Sequence, residues 1–191
     1  LAASGFTVIH ICAVIAAAGC WFYSSEIMHL LYKEASDYSS SILKVLMLGI
    51  LGSTSTYIFS TLLTANNNLK QLIMVAAAAV LVNFLSNLLL IPVYKAWGAS
   101  IAAVITQIGI GMTHLILSVV VFRFRFNKLL VGKLCLFALM SIAIFWGIKT
   151  APINWMISLS LGAFICLAFA FLLRLADTGR IFALISKNPT E

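Results

Sequence analysis

Six apolar blocks, each about twenty residues long and parted by short links, constrain this chain more than any other feature. A helix needs about 20 mostly apolar residues to cross the hydrocarbon core of a bilayer. The blocks cover residues 1–23, 41–65, 72–91, 99–122, 129–148 and 153–173. Only 9% of the 191 residues are charged and 63% are apolar. A water-soluble domain carries roughly 25% charged residues, so this chain cannot coat itself for water and lipid must be its main solvent. The expected fold class is an all-α integral membrane protein with six transmembrane helices.

The charges sit mostly in the links, and assigning alternate links to opposite sides separates them. One side receives Lys70, Arg123, Arg125, Lys128, Lys133, Arg174, Arg180 and Lys187. The other receives Lys33, Lys44, Lys95 and Lys149, together with Glu26, Glu34 and Asp37. The cation-rich side is expected to be cytoplasmic, with both ends of the chain on it. This also accounts for the net charge of +7 without nucleic acid, because no basic helix is interleaved with aromatics. The longest link, Ser24 to Ser40, has room for a short interfacial helix. The chain begins with Leu1 and has no basic segment ahead of its first apolar block, so a cleavable signal peptide is not expected. An apolar start without Met suggests a piece of a longer protein.

Cys12, Cys20, Cys135 and Cys166 all lie in apolar runs without a C-x-x-C pair. They are expected to be small buried hydrophobes rather than disulfide partners or zinc ligands. No spacing of His, Cys, Asp and Glu suits a metal, and no cofactor is implied. No carboxylate is expected inside a span, no P-loop is present, and no nucleophile has partners for catalysis. The chain therefore does not read as an enzyme.

At about 100° per residue, three blocks carry narrow polar or small-residue faces. Gly49, Ser53, Thr56, Ser60 and Thr64 align in the second. Ala76, Ala79, Asn83 and Asn87 align in the third. Ser100, Gln107, Gly111, His114 and Ser118 align in the fourth. Such stripes serve either close helix packing or a hydrated cavity for a polar solute. The candidates for a substrate cavity are Ser53, Thr56, Ser60, Gln107 and His114. Lys44 joins them, either snorkelling to headgroups or facing a phosphate. His10 is expected to be a satisfied core histidine.

Two amides one helical turn apart in an apolar run are costly unless partnered. Asn83-x-x-x-Asn87-x-Leu89-Leu90-Ile91-Pro92, followed by Gly98-Ala99-Ser100-Ile101-Ala102, resembles the "N-x-x-L-N-x-x-L-I-P-x-x-G-x-x-G-A-A-x-A" signature of polysaccharide flippases. Leu30-Leu31-Tyr32 followed by Tyr38 resembles their outer-link motif. The likeness covers about residues 27–122, and the last two blocks agree in hydropathy only. Lys33 stands where the family often has glycine, Ser100 replaces the second alanine of Gly-Ala-Ala, and Tyr94-Lys95-Ala96-Trp97 stands where a first glycine is usual.

The resemblance implies the C-terminal part of a two-lobed flippase of twelve to fourteen helices. These belong to the superfamily that also holds multidrug extruders and the lipid II flippase. Residues 1–122 would supply four helices of the C-terminal transport lobe, 123–174 two additional helices, and 175–191 a short cytoplasmic tail. Asn83, Asn87, Pro92, Gly98 and Ala99 would be signature and packing residues. The implied setting is a bacterial inner membrane. The implied partners are membrane lipids, an undecaprenyl-diphosphate-linked glycan and an N-terminal lobe. The implied activity is movement of that lipid-linked oligosaccharide between leaflets by alternating access. A multidrug or cation antiporter of the same superfamily and a non-transporting membrane scaffold are the alternatives.

Overall fold

The computed structural model describes residues 2–32, 36–123, 128–173 and 175. Among these the regular structure is helical: α1 Ala2–Leu31, α2 Asp37–Ala65, α3 Leu69–Phe122, α4 Lys128–Lys149 and α5 Trp155–Leu172. All five are long and apolar enough to cross a membrane. The expected link of residues 24–40 is much shorter, because α1 continues to Leu31 past a break at Tyr23. The segment from Ser25 to Leu31 has no glycine or proline to stop it. Glu26 therefore lies inside a helix, not in a link as its sequence position implied. Ser36 starts α2 with a reciprocal cap: its hydroxyl accepts from the Ser39 N–H at 3.2 Å, and the Ser39 hydroxyl accepts from the Ser36 N–H at 3.0 Å. This satisfies two of the donors that every helix start leaves orphaned.

The third and fourth blocks, expected as separate helices, form one helical segment, α3, of 54 residues. It is folded rather than straight. The Asn83 side-chain amide donates to Thr106 Oγ1 at 3.1 Å, whereas these residues would lie about 35 Å apart along an unbroken helix. The reversal occurs at Lys95, the one residue inside α3 with non-helical dihedrals (φ 54°, ψ −131°). Pro92, which cannot donate to the carbonyl one turn back, lies three residues before it. Two arms result, residues 69–94 and 96–122. Gly98 lets them approach, since a Cβ there would overlap the carbonyl of Leu90.

α2 packs between α1 and α3, while α1 also contacts α4 and α5. The core lies on the α1–α4–α5 side and includes Ile11, Val14, Phe137, Phe145 and Cys166. Fully buried Phe145 fills a notch that a Cβ on Gly162 would close. Lys133 near the start of α4 donates to the Leu173 carbonyl at 2.9 Å, capping the end of α5. Leu175, expected in a tail, is 6% exposed and packs in this core; the rest of that tail lies outside the described residues. Of the cysteines only Cys166 is buried, and Cys12 and Cys135 are exposed. Small polarisable thiols are tolerated on an apolar surface, which explains why an apolar setting did not predict burial. Ile73, Met74, Val80, Phe84 and Leu89 on the first arm of α3 are exposed as well, an exterior that suits hydrocarbon rather than water.

Candidate functional site

The polar stripes of α2 and α3 meet at one interface, and glycine sets its distance. A Cβ on Gly111 would overlap the Gly52 carbonyl, and one on Gly52 would come within 2.5 Å of the Gln107 carbonyl oxygen. The two backbones are thus nearly in contact, as small-residue pairs permit. α2 and the second arm of α3 run parallel: Tyr38 meets Trp97 near their starts, and Ser53 meets Gln107 further along.

Ser53 and Gln107 are brought together as a bonded pair. The Ser53 hydroxyl donates to Gln107 Oε1 at 2.7 Å, and Gln107 is exposed. Its carbonyl end is occupied, which leaves the two N–H groups of the amide as donors on the protein exterior. A Cβ on Gly49 would lie 3.6 Å from the Gln107 stem, in ordinary contact with it.

The other candidates divide. His114 is 6% exposed and Ser118 fully buried, on the face that also holds Ser100 and Gly111. His114 Nδ1 and Ser118 Oγ have no hydrogen-bond partner among the described residues. Gln107 and His114 share a helix face in projection but not an environment, since the first is at the rim and the second inside. The Thr56 hydroxyl turns back to its own helix, donating to the Gly52 carbonyl at 3.3 Å. Ser60 is half-buried, and its carbonyl accepts from the Thr64 hydroxyl at 2.8 Å. Lys44 is half-exposed and precedes Ser53 by nine residues, about two and a half helical turns. It therefore faces away from the Ser53–Gln107 pair.

The asparagines form a chain between the arms of α3. Asn87 donates to Asn83 Oδ1 at 2.9 Å, Asn83 donates to Thr106 Oγ1 at 3.1 Å, and Thr106 donates to the Ala102 carbonyl at 2.8 Å. Thr106 closes this relay and was missed in the sequence, where its immediate neighbour Gln107 marked a different face. Beside the relay lies an apolar cavity of about 320 Å³, lined by Met74, Ala78, Ala79, Ile105, Thr106 and Gly109 among others. His10 is partnered as expected. The Thr54 hydroxyl donates to Leu51, so His10 Nδ1 donates to Thr54 Oγ1 at 3.1 Å. Its ring stacks on Phe6 at 5.1 Å.

Tyr38 has a structural part that its motif did not reveal. Its hydroxyl donates to the Tyr94 carbonyl at 3.2 Å and accepts from the Trp97 N–H at 3.1 Å. It thereby ties the start of α2 to both sides of the reversal at Lys95. Of the signature residues, Pro92 and Gly98 shape the reversal, and Ala99 is half-buried beside it.

No family model, curated protein or solved structure matches the chain.

Proposed function

We propose that the chain forms part of a transport lobe that moves a lipid-linked oligosaccharide across a bacterial inner membrane. The observation that carries this reading is the Ser53–Gln107 pair. An amide left facing hydrocarbon would be costly, and its exposure on a largely apolar exterior is accounted for if that face borders a polar passage. Its free N–H donors suit sugar hydroxyls or diphosphate oxygens, and the apolar cavity between the arms of α3 suits a hydrocarbon tail. Counted by arms, α3 supplies two crossings and the chain six, which would place both ends on the cytoplasmic side. The flippase resemblance of Asn83, Asn87, Pro92 and Gly98-Ala99 supports the same reading.

The test is complementation of a flippase-deficient strain by a protein containing this chain. Gln107→Leu combined with Ser53→Val should abolish most surface polysaccharide while the protein still reaches the membrane. Normal polysaccharide from that variant would contradict the site. The antiporter alternative gains one observation, because half-buried Glu26 lies within α1. Its carboxylate is 3.9 Å from Lys149, however, so a cation would have to displace a partner already present.

A further inference from the structure

The break in α1 at Tyr23 (φ −115°, ψ 21°) lies where polar groups of α1 and α4 converge. Lys149, the last residue of α4, donates to the Phe22 carbonyl, just before the break. The same ammonium sits 5.4 Å from the centre of the Tyr23 ring and 3.9 Å from Glu26 Oε1. One side chain thus holds both sides of the break: the inner segment through Phe22, the outer segment through Glu26. Three buried polar atoms next to it, Tyr23 Oη, Ser24 Oγ and Glu26 Oε2, have no hydrogen-bond partner among the described residues. Buried polar atoms are rarely left unpaired in a single rigid state, and each exception calls for a reason. Between the outer segment and the start of α5 is an open cavity of about 450 Å³, lined by Ser25, Glu26, His29, Leu30, Trp155 and Met156. The outer segment therefore has room to move toward α5, and unpaired groups that a move would rearrange.

We propose that residues 24–31 of α1 form a hinged flap that pivots at Tyr23, is latched by Lys149, and closes onto Trp155 and Met156 at the start of α5. The latch explains why the break is tolerated. A helix interruption exposes carbonyls that must find donors, and Lys149 supplies one from another helix. Releasing Lys149 frees the flap without unfolding the inner part of α1, whose Ile11, Val14 and Ala18 remain in the core. The inference goes beyond the transport reading and does not depend on it.

Distances between spin labels placed at Leu30→Cys and Met156→Cys, on opposite walls of the cavity, test the proposal. The protein is held in lipid nanodiscs and its native cysteines are replaced. Two distance populations are expected, and Lys149→Gln should change their ratio by about tenfold, as befits loss of a charge-assisted bond. A control pair at Leu46 and Met112, across the α2–α3 interface, should not move. One distance, unchanged by Lys149→Gln, would overturn the flap, and so would equal changes at the control pair. Hydrogen exchange of the unsubstituted protein covers the case in which Lys149→Gln does not fold. Amides of residues 24–31 should exchange in a separate, faster opening than those of residues 11–22, whereas a common rate for both segments would overturn the proposal.

Discussion

Lys95 occupies a backbone region that strongly favours glycine. With φ 54° and ψ −131°, a side chain there costs on the order of 1–3 kcal/mol. It is tolerated because the neighbouring contacts hold the reversal in place. Lys95→Gly should therefore stabilise the protein by about 1 kcal/mol after glycine's own entropy cost, read as a rise in unfolding temperature in micelles; a fall would refute the strain. Tyr38→Phe keeps the ring and removes both hydrogen bonds to the reversal. A loss of about 1–2 kcal/mol is expected, and no loss would mean that the turn holds without its clamp. The flippase-like pattern marked the 94–97 segment as a departure because Tyr94-Lys95-Ala96-Trp97 stands where a first glycine is usual. It could not show why glycine is favoured there, since the backbone angle is a property of the folded turn.

Among the elements, α3 and the α2–α3 interface tell most about what a sequence reveals. The apolar blocks at 72–91 and 99–122 were legible from composition, and Pro92 with Gly98 marked the joint between them. What remained hidden was the length of the joint: residues 93 and 94 stay helical and the chain turns on a single residue. Hydropathy reports solvent preference, not the residue on which a chain reverses. The stripes on α2 and α3 were legible too, but periodicity could not separate packing from lining. The structure divides them: Gly49, Gly111, His114 and Ser118 are buried, and Gln107 is exposed. Gly111→Ala would push a methyl group into the Gly52 carbonyl and should cost about 1–3 kcal/mol. Gly109→Ala meets nothing within 4 Å on the same arm and should be neutral or stabilising. Equal effects from the two substitutions, measured by thermal unfolding, would argue against the close backbone approach.

For the molecule as a whole, five long apolar helices and a largely apolar exterior point to a membrane environment. On that exterior, the exposed Gln107 bonded to half-buried Ser53 is the feature that the proposed transport would explain. Two features behind the proposals were not legible beforehand. The length of α1 was hidden because the polar residues from Ser24 onward resemble a link. The Lys149 latch was hidden because it joins residues far apart in the sequence, which helical periodicity cannot pair. The most direct test of transport is a leaflet assay in proteoliposomes. A protein containing this chain would be supplied with a polyprenyl-diphosphate-linked glycan on one face, and arrival on the other face followed with a membrane-impermeant glycan-modifying enzyme. Protein-dependent arrival is expected, falling at least about tenfold when Gln107→Leu and Ser53→Val remove the polar pair, equivalent to about 1.4 kcal/mol in the barrier. Arrival at the protein-free rate, or at an undiminished rate in the double variant, would contradict the proposal.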